Sequence, residues 1–210
     1  MSWIDVSMRI TSDMKVYKNR EEKKPVFTTS ATFEQNGVYE TELKMNLHTG
    51  THIDFPKHTI KEGETSKGFD VSKLLRKVKV FDMTSVVDSI TKEDIDSLSI
   101  GEDDFIFFKT RNSFDKEFNF DFIYLAKDAA NYLASKHIFG VGIDALGIER
   151  NQEGHPTHDA LLSQNIIILE GLNLKEVDHD IYDMVCLPLA IDDVEALPVR
   201  VLLKKNKTKK

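Results

Sequence analysis

Cysteine is almost absent from this chain of 210 residues: Cys186 stands alone. A single thiol rules out an internal disulfide and a sulfur-rich structural zinc site, and it suits a reducing cytoplasm. Long apolar runs are missing too. The longest clear stretch, Val185 to Ile191, holds a proline and is far too short to span a bilayer, so no membrane role is expected. The start, Met1-Ser2-Trp3-Ile4-Asp5, has no basic region followed by an apolar stretch, which argues against a secretory signal peptide. Positive charge is in deficit: the net charge is −7 and the pI near 5.5, so a nucleic-acid role lacks electrostatic support. No internal repeat is visible. With 40% hydrophobic and 30% charged residues the chain is an ordinary soluble globular protein, long enough for one domain with a substantial core.

What the chain does have is histidine in one place. Three of its seven histidines fall in the segment His48-Thr49-Gly50-Thr51-His52-Ile53-Asp54-Phe55-Pro56-Lys57-His58. His48, His52 and Asp54 are two imidazoles and a carboxylate, a ligand set suited to a catalytic divalent metal. A surface accident or a pH-sensitive patch is the plainer alternative. Leu43, Met45 and Leu47 are apolar at period two, which predicts a strand running into the motif. If the pleat continues, His48, Gly50, His52 and Asp54 share one face, with Gly50 leaving a gap between the imidazoles. Gly50, the β-branched Thr49, Thr51 and Ile53, and Pro56 argue against a helix.

Elsewhere strands and helices alternate. Val78–Phe81, Phe105–Phe108, Phe139–Ile143, Ile166–Leu169 and Met184–Leu187 read as strands, the last burying Cys186 as a core residue rather than a nucleophile. Thr91 with Asp94 can cap a short helix carrying Ile95 and Leu98 on one side. A longer helix is predicted from about Ala126 to His137. Its Ala126, Ala129, Ala130, Leu133 and Ala134 make a narrow apolar face, and it feeds directly into the strand at Phe139. The pattern is α/β. Glu170 follows an apolar run, where a carboxylate is costly unless paired or metal-bound; a solvent-facing strand end is the alternative. His158, beside Pro156-Thr157, reads equally as a helix start. Asp144 is a turn former or a substrate-side carboxylate. Phe114, Phe118, Phe120 and Phe122 form either core or an exposed strip for a subunit interface or substrate wall. Lys18 to Pro25 is a charged loop that could border a site mouth, and residues 204–210 form a basic tail beyond a domain of residues 1–203.

The segment from His48 to His58 resembles the signature H-x-G-T-H-x-D-x-P-x-H of the metal-dependent cyclase/hydrolases, which include bacterial kynurenine formamidase and isatin hydrolase. His48, Gly50, Thr51, His52, Asp54, Pro56 and His58 meet every fixed position. Ile4-Asp5-Val6-Ser7, Gly142-Ile143-Asp144, His158-Asp159-Ala160-Leu161-Leu162, Ile168-Leu169-Glu170-Gly171, Pro188-Leu189 and Pro198-Val199-Arg200 extend the likeness to roughly residues 4–202. The resemblance implies a single domain with a mixed β-sheet core flanked by helices, of the swirling β/α/β type. It implies one metal on His48, His52 and Asp54, with Asp54 bridging to a second on His158 and Glu170, and His58 as catalytic acid/base. Zinc or manganese, one or two ions per subunit, would serve, and the subunits would form a homodimer or homotetramer in the cytoplasm.

The implied activity is hydrolysis of a C–N amide bond in a small-molecule substrate, most simply that of an arylformamidase acting on a compound of the N-formyl-kynurenine type. Opening of cyclic amides or lactones is the runner-up, and a non-catalytic metal-dependent binding protein the alternative from another class. Phe55, Thr59 and the segment Met14 to Asn19 depart from the family pattern, so pocket shape does not transfer with the metal chemistry.

Overall fold

All five residues of Phe105–Lys109 are buried, so this strand must be covered on both faces, and the architecture follows from that requirement. The computed structural model describes residues 2–205. Its strands are β1 (Ile4–Asp5), β2 (Val26–Ala31), β3 (Glu40–Lys44), β4 (His52–Asp54), β5 (Leu75–Asp82), β6 (Ser89–Ile90), β7 (Phe105–Lys109), β8 (Tyr124–Leu125), β9 (Gly140–Ile143), β10 (Ile167–Glu170), β11 (Asp180–Pro188) and β12 (Ala196–Lys205). The α-helices are α1 (Phe33–Asn36), α2 (Lys92–Ile95), α3 (Lys127–Ser135) and α4 (Pro156–Leu162).

The main sheet runs β1, β12, β11, β5, β7, β9, β10, β4, and β4 pairs back onto β12, closing the strands from β12 to β4 into a barrel-like core with β1 at its edge. β5, β7, β9 and β10 are parallel neighbours; the other pairings are antiparallel. The fold is therefore α/β with a mixed sheet, as the sequence and the resemblance led us to expect. Closure gives each strand an inner and an outer face. Ile53, Val80, Phe105, Phe107, Leu169 and Val201 belong to one apolar cluster. Ile106, Phe108, Val141, Ile143 and Ile168 alternate with them and pack with Ala129, Ala130, Leu133, Leu161 and Leu162 of α3 and α4. Gly140 and Gly142 leave the space that the Phe105 and Phe107 rings fill; a side chain at either would collide with those rings.

Several local expectations hold. Thr91 and Asp94 form a capping box on α2. α3 buries Ala129, Ala130 and Leu133, and Cys186 is buried on β11. Asp144 lies past the end of β9, 3% exposed, and accepts hydrogen bonds from the backbone N–H and hydroxyl of both Thr110 and Ser113. It joins β9 to the turn after β7. Burial pushes its pKa up to about 6 against the pull of those donors.

Two expectations fail. The strand through Leu43 does not run into the histidine motif: β3 ends at Lys44 and pairs only with β2, forming an arm apart from the main sheet. Leu43 is half exposed instead of pointing to a core. The pleat is broken because Gly50 has φ +73°, and its missing Cβ would face Ile10 and Met14, not the imidazoles. The phenylalanines between 114 and 122 divide: Phe118 and Phe122 follow the core reading, buried around the Tyr17 ring, whereas Phe114 and Phe120 are exposed. The tail expectation falls mostly outside the described residues, since β12 continues through Lys204 and Lys205. Among the described residues no helix is long and apolar enough to cross a membrane.

Asp144→Ala strands the buried Thr110 N–H and the Ser113 N–H, so urea unfolding should show a loss of at least about 2 kcal/mol. A change below about 0.5 kcal/mol would show that Asp144 does not tie these strands together.

Candidate functional site

The site is built on the outer face of the β4–β10 ladder. Register places His52 directly opposite Glu170, and Asp54, two residues on, shares that face. All three are buried. α4 lies across this face and brings His158 from its first turn. His158 Nε2 stands 3.5 Å from Glu170 Oε1 and 4.0 Å from Asp54 Oδ2. His52 Nε2 is 3.4 Å from both Asp54 Oδ1 and Glu170 Oε2, and His48 Nδ1 is 3.0 Å from Asp54 Oδ1. The five candidate ligands thus meet at one place, although His48 arrives by a turn and not on the strand; Asp144 lies elsewhere, bonded to Thr110 and Ser113.

These approaches lack hydrogen-bond geometry at the decisive atoms. Among the described residues, His52 Nε2 and both Asp54 carboxylate oxygens are buried with no hydrogen-bond partner. Stranding such atoms costs about 1–3 kcal/mol each, and nitrogen and oxygen donors aimed at a common point suit a divalent cation. The donor set fits: His52, Asp54 and Glu170 bring ligand atoms within 4.8 Å of one another, as do His48, Asp54 and His58. The remaining atoms are held from behind. His52 Nδ1 donates to the Gly50 carbonyl at 3.0 Å, which leaves Nε2 as the free face. The Ile148 N–H donates to Glu170 Oε1 at 2.6 Å.

Gly50 and Gly171 (φ +69°) pack loop against loop, and a side chain at 171 would run into the Gly50 carbonyl. Thr51 seals the contact: its hydroxyl donates to the Gly171 carbonyl at 2.6 Å and accepts from Met8 N–H.

Electrostatics follow from the crowding. Burial disfavours charge on His52, but Asp54 and Glu170 outweigh it and raise its pKa to about 9. Burial likewise opposes charge on His158, yet Glu149 and Glu170 raise it to about 10. Burial works to raise the pKa of Glu170, but the two imidazoles hold it well below the usual carboxylate range. His58 moves the other way: burial lowers its pKa, and Asp54's pull is opposed by His48 and His158. A cation at this point would stand in for the protons on His52 and His158.

Pro56 opens a 3-10 turn that ends at His58. The His58 ring lies 4.2 Å from that of His48 and 5.5 Å from that of His158. Both His48 and His58 line a cavity of about 400 Å³, together with Tyr17, Glu149, His158 and Glu170. Lys18 and Lys23 also line it, so the charged amino-terminal loop does border the mouth. Tyr17, within the segment Met14 to Asn19 tied to pocket shape, lines the cavity; sequence reasoning missed Glu195, whose Oε1 lies 3.4 Å from His48 Nε2. It also missed Glu149, whose Oε2 lies 2.7 Å from His158 Nδ1. No local motif marks either of them.

The Cyclase family model matches residues 4–150, which include the whole histidine motif. The chain belongs to the cyclase family. It is 28% identical to the kynurenine formamidase of Salinibacter ruber over 207 residues, 97% of this chain and 98% of that one. It is 27% identical to the kynurenine formamidase of Bacillus cereus over 205 residues, 96% and 97% of the two chains. Among solved structures it is similar to a predicted metal-dependent hydrolase from Bacillus stearothermophilus, with 50% identity and a TM-score of 0.89 over 96% of this chain and 97% of that one. Isatin hydrolase A from Labrenzia aggregata shares the fold, at 21% identity and a TM-score of 0.83 over 96% and 93% of the chains.

Gly171→Ala forces a side chain into a left-handed position against the Gly50 carbonyl. Denaturant unfolding should show a loss of at least about 1 kcal/mol, together with weaker uptake of zinc. Wild-type stability in this variant would mean that the two loops do not need their close approach.

Proposed function

We propose that this protein is a divalent-metal-dependent hydrolase of a carbonyl–nitrogen bond, with an arylformamide of the N-formyl-kynurenine type as substrate. The observation that carries the reading is the convergence of buried, unpartnered His52 and Asp54 atoms beside a cavity into which His58 faces. Near-full-length likeness to kynurenine formamidases supports the choice of bond. His48, His52 and Asp54 would hold one ion, and Asp54, His158 and Glu170 would offer donors to a second. A bound zinc or manganese ion supplies Lewis acidity toward a carbonyl oxygen and lowers the pKa of water.

The chain's own residues do the rest. Asp54 and Glu170, anchored on paired strands, keep the ligand set rigid. The cavity walls, with Tyr17 on one side, take up the aromatic part of the substrate and exclude bulk water. Hydrolysis forms a C–O bond from water and breaks the C–N bond, and His58, whose pKa burial lowers, would take a proton from the attacking water and pass it to the leaving nitrogen, giving a carboxylate and a free amine. The intact His58 separates an enzyme from a scaffold that only stores metal.

The protein works as a homodimer or homotetramer in the cytoplasm on this reading. Support comes from the β2–β3 arm, on which Val26, Phe27, Phe33, Tyr39 and Leu43 are all exposed. A two-stranded arm of that kind is marginal in water without a partner surface. Light scattering should therefore give two or four times the chain mass; a monomer at micromolar concentration would contradict this.

His58→Ala should keep its ion content and lose about 10²- to 10⁴-fold in kcat, whereas Asp54→Ala should lose the ions themselves. Loss of ions from His58→Ala with full turnover per bound ion would remove the acid/base role. The assay is amine release from an aryl formamide by metal-replete protein. Preference for cyclic amides or lactones would redirect the substrate, and no turnover of any of them would leave a binding protein.

A further inference from the structure

Glu149 is a buried carboxylate that the proposed reaction does not use. It lies in the loop between β9 and α4 and is 6% exposed. Its Oε2 accepts from His158 Nδ1 at 2.7 Å and from the His158 backbone N–H at 3.2 Å. Its Oε1 accepts from Gln152 Nε2 at 3.0 Å and from the Thr157 N–H at 3.4 Å. These contacts lock the carboxylate against the first turn of α4.

The side of the ring it meets is what matters. Committing Nδ1–H to Glu149 makes Nε2 the lone-pair nitrogen, and Nε2 is the atom turned toward Glu170 and Asp54. The residue just before it, Ile148, donates its N–H to Glu170. Two consecutive loop residues therefore grip two side chains, His158 and Glu170, that would face the same ion. Glu149, His155 and His158 also bring donor atoms within 4.8 Å of one another. His155 is exposed, however, and a 2.7 Å hydrogen bond leaves no room for an ion between Glu149 and His158.

We propose that Glu149 is a positioning residue that sets the tautomer and plane of His158, and so makes the position between Asp54, His158 and Glu170 able to hold a second ion. This rests on the reading above that the site takes two ions. Carboxylates behind metal-ligating histidines act in this way, and their loss weakens binding about 10- to 100-fold.

The test titrates chelator-stripped, full-length protein with zinc, reading affinity by calorimetry and retained ions by elemental analysis after dialysis. Wild type should hold two ions. Glu149→Gln, which keeps an acceptor without the charge, should weaken one ion about 10-fold, and Glu149→Ala about 100-fold. The other ion should bind as in wild type in both variants. A merely structural role would instead weaken both ions together with the melting temperature of the stripped protein. A wild-type protein that takes up one ion, variants that keep both at full affinity, or variants that lose both together would each overturn the proposal. Should the variants fail to fold, nitrogen NMR of the zinc-loaded wild type decides: His158 protonated at Nδ1 supports it, and at Nε2 overturns it. No substrate enters this experiment, so two ions bound without amide cleavage would defeat only the proposed hydrolysis.

Discussion

The structure depends on the pairing of His52 with Glu170 across antiparallel strands. That register fixes two candidate ligand side chains on one face, and the period-two geometry of a strand adds Asp54. The alternate residues Ile53 and Leu169 lock the same strands into the apolar cluster on the other face. A slip of one residue would bury the ligands in that cluster and expose its aliphatics, so packing and chemistry enforce one register. The polar atoms left unpartnered are the cost of this arrangement, and a divalent cation is the group that would satisfy them together.

Around this ladder the chain supplies rigidity from distant segments. The Gly50 turn, the Gly171 turn and the Thr51 hydroxyl clamp two strand ends together. The loop after β9 reaches over and holds Glu170 through Ile148 and His158 through Glu149. In this site His52, Glu170 and His158 are each held from behind. His58 differs: it sits at the cavity wall on a short turn, beside the candidate ligands but outside the ladder, which suits a group that exchanges protons.

How much of this was legible in the sequence differs by element. Strand β10, helix α3 and the capping box of α2 were readable because burial on a fixed face imposes periodicity, which is a local signal. The convergence of the candidate ligands was readable in part because His48, His52 and Asp54 are neighbours in one motif; His158 and Glu170 needed the family likeness. The β2–β3 arm was not readable. Leu43, Met45 and Leu47 alternate as a core strand would, but alternation cannot tell a sheet strand from an arm that leaves its apolar side chains exposed. Gly50 was misassigned for a related reason: a glycine in an extended pattern and a glycine at positive φ look alike in sequence. Glu149 and Glu195 carry no signal at all, since only the fold brings them to the site.

The central claim is that imidazoles and carboxylates of the β4–β10 ladder and its neighbours capture a divalent ion. Zinc-edge X-ray absorption on the zinc-loaded protein tests it most directly. The account predicts a shell of nitrogen and oxygen at about 2.0–2.2 Å with the multiple-scattering pattern of at least two imidazoles. A shell of water oxygens alone, or sulfur at about 2.3 Å from Cys186, would contradict it.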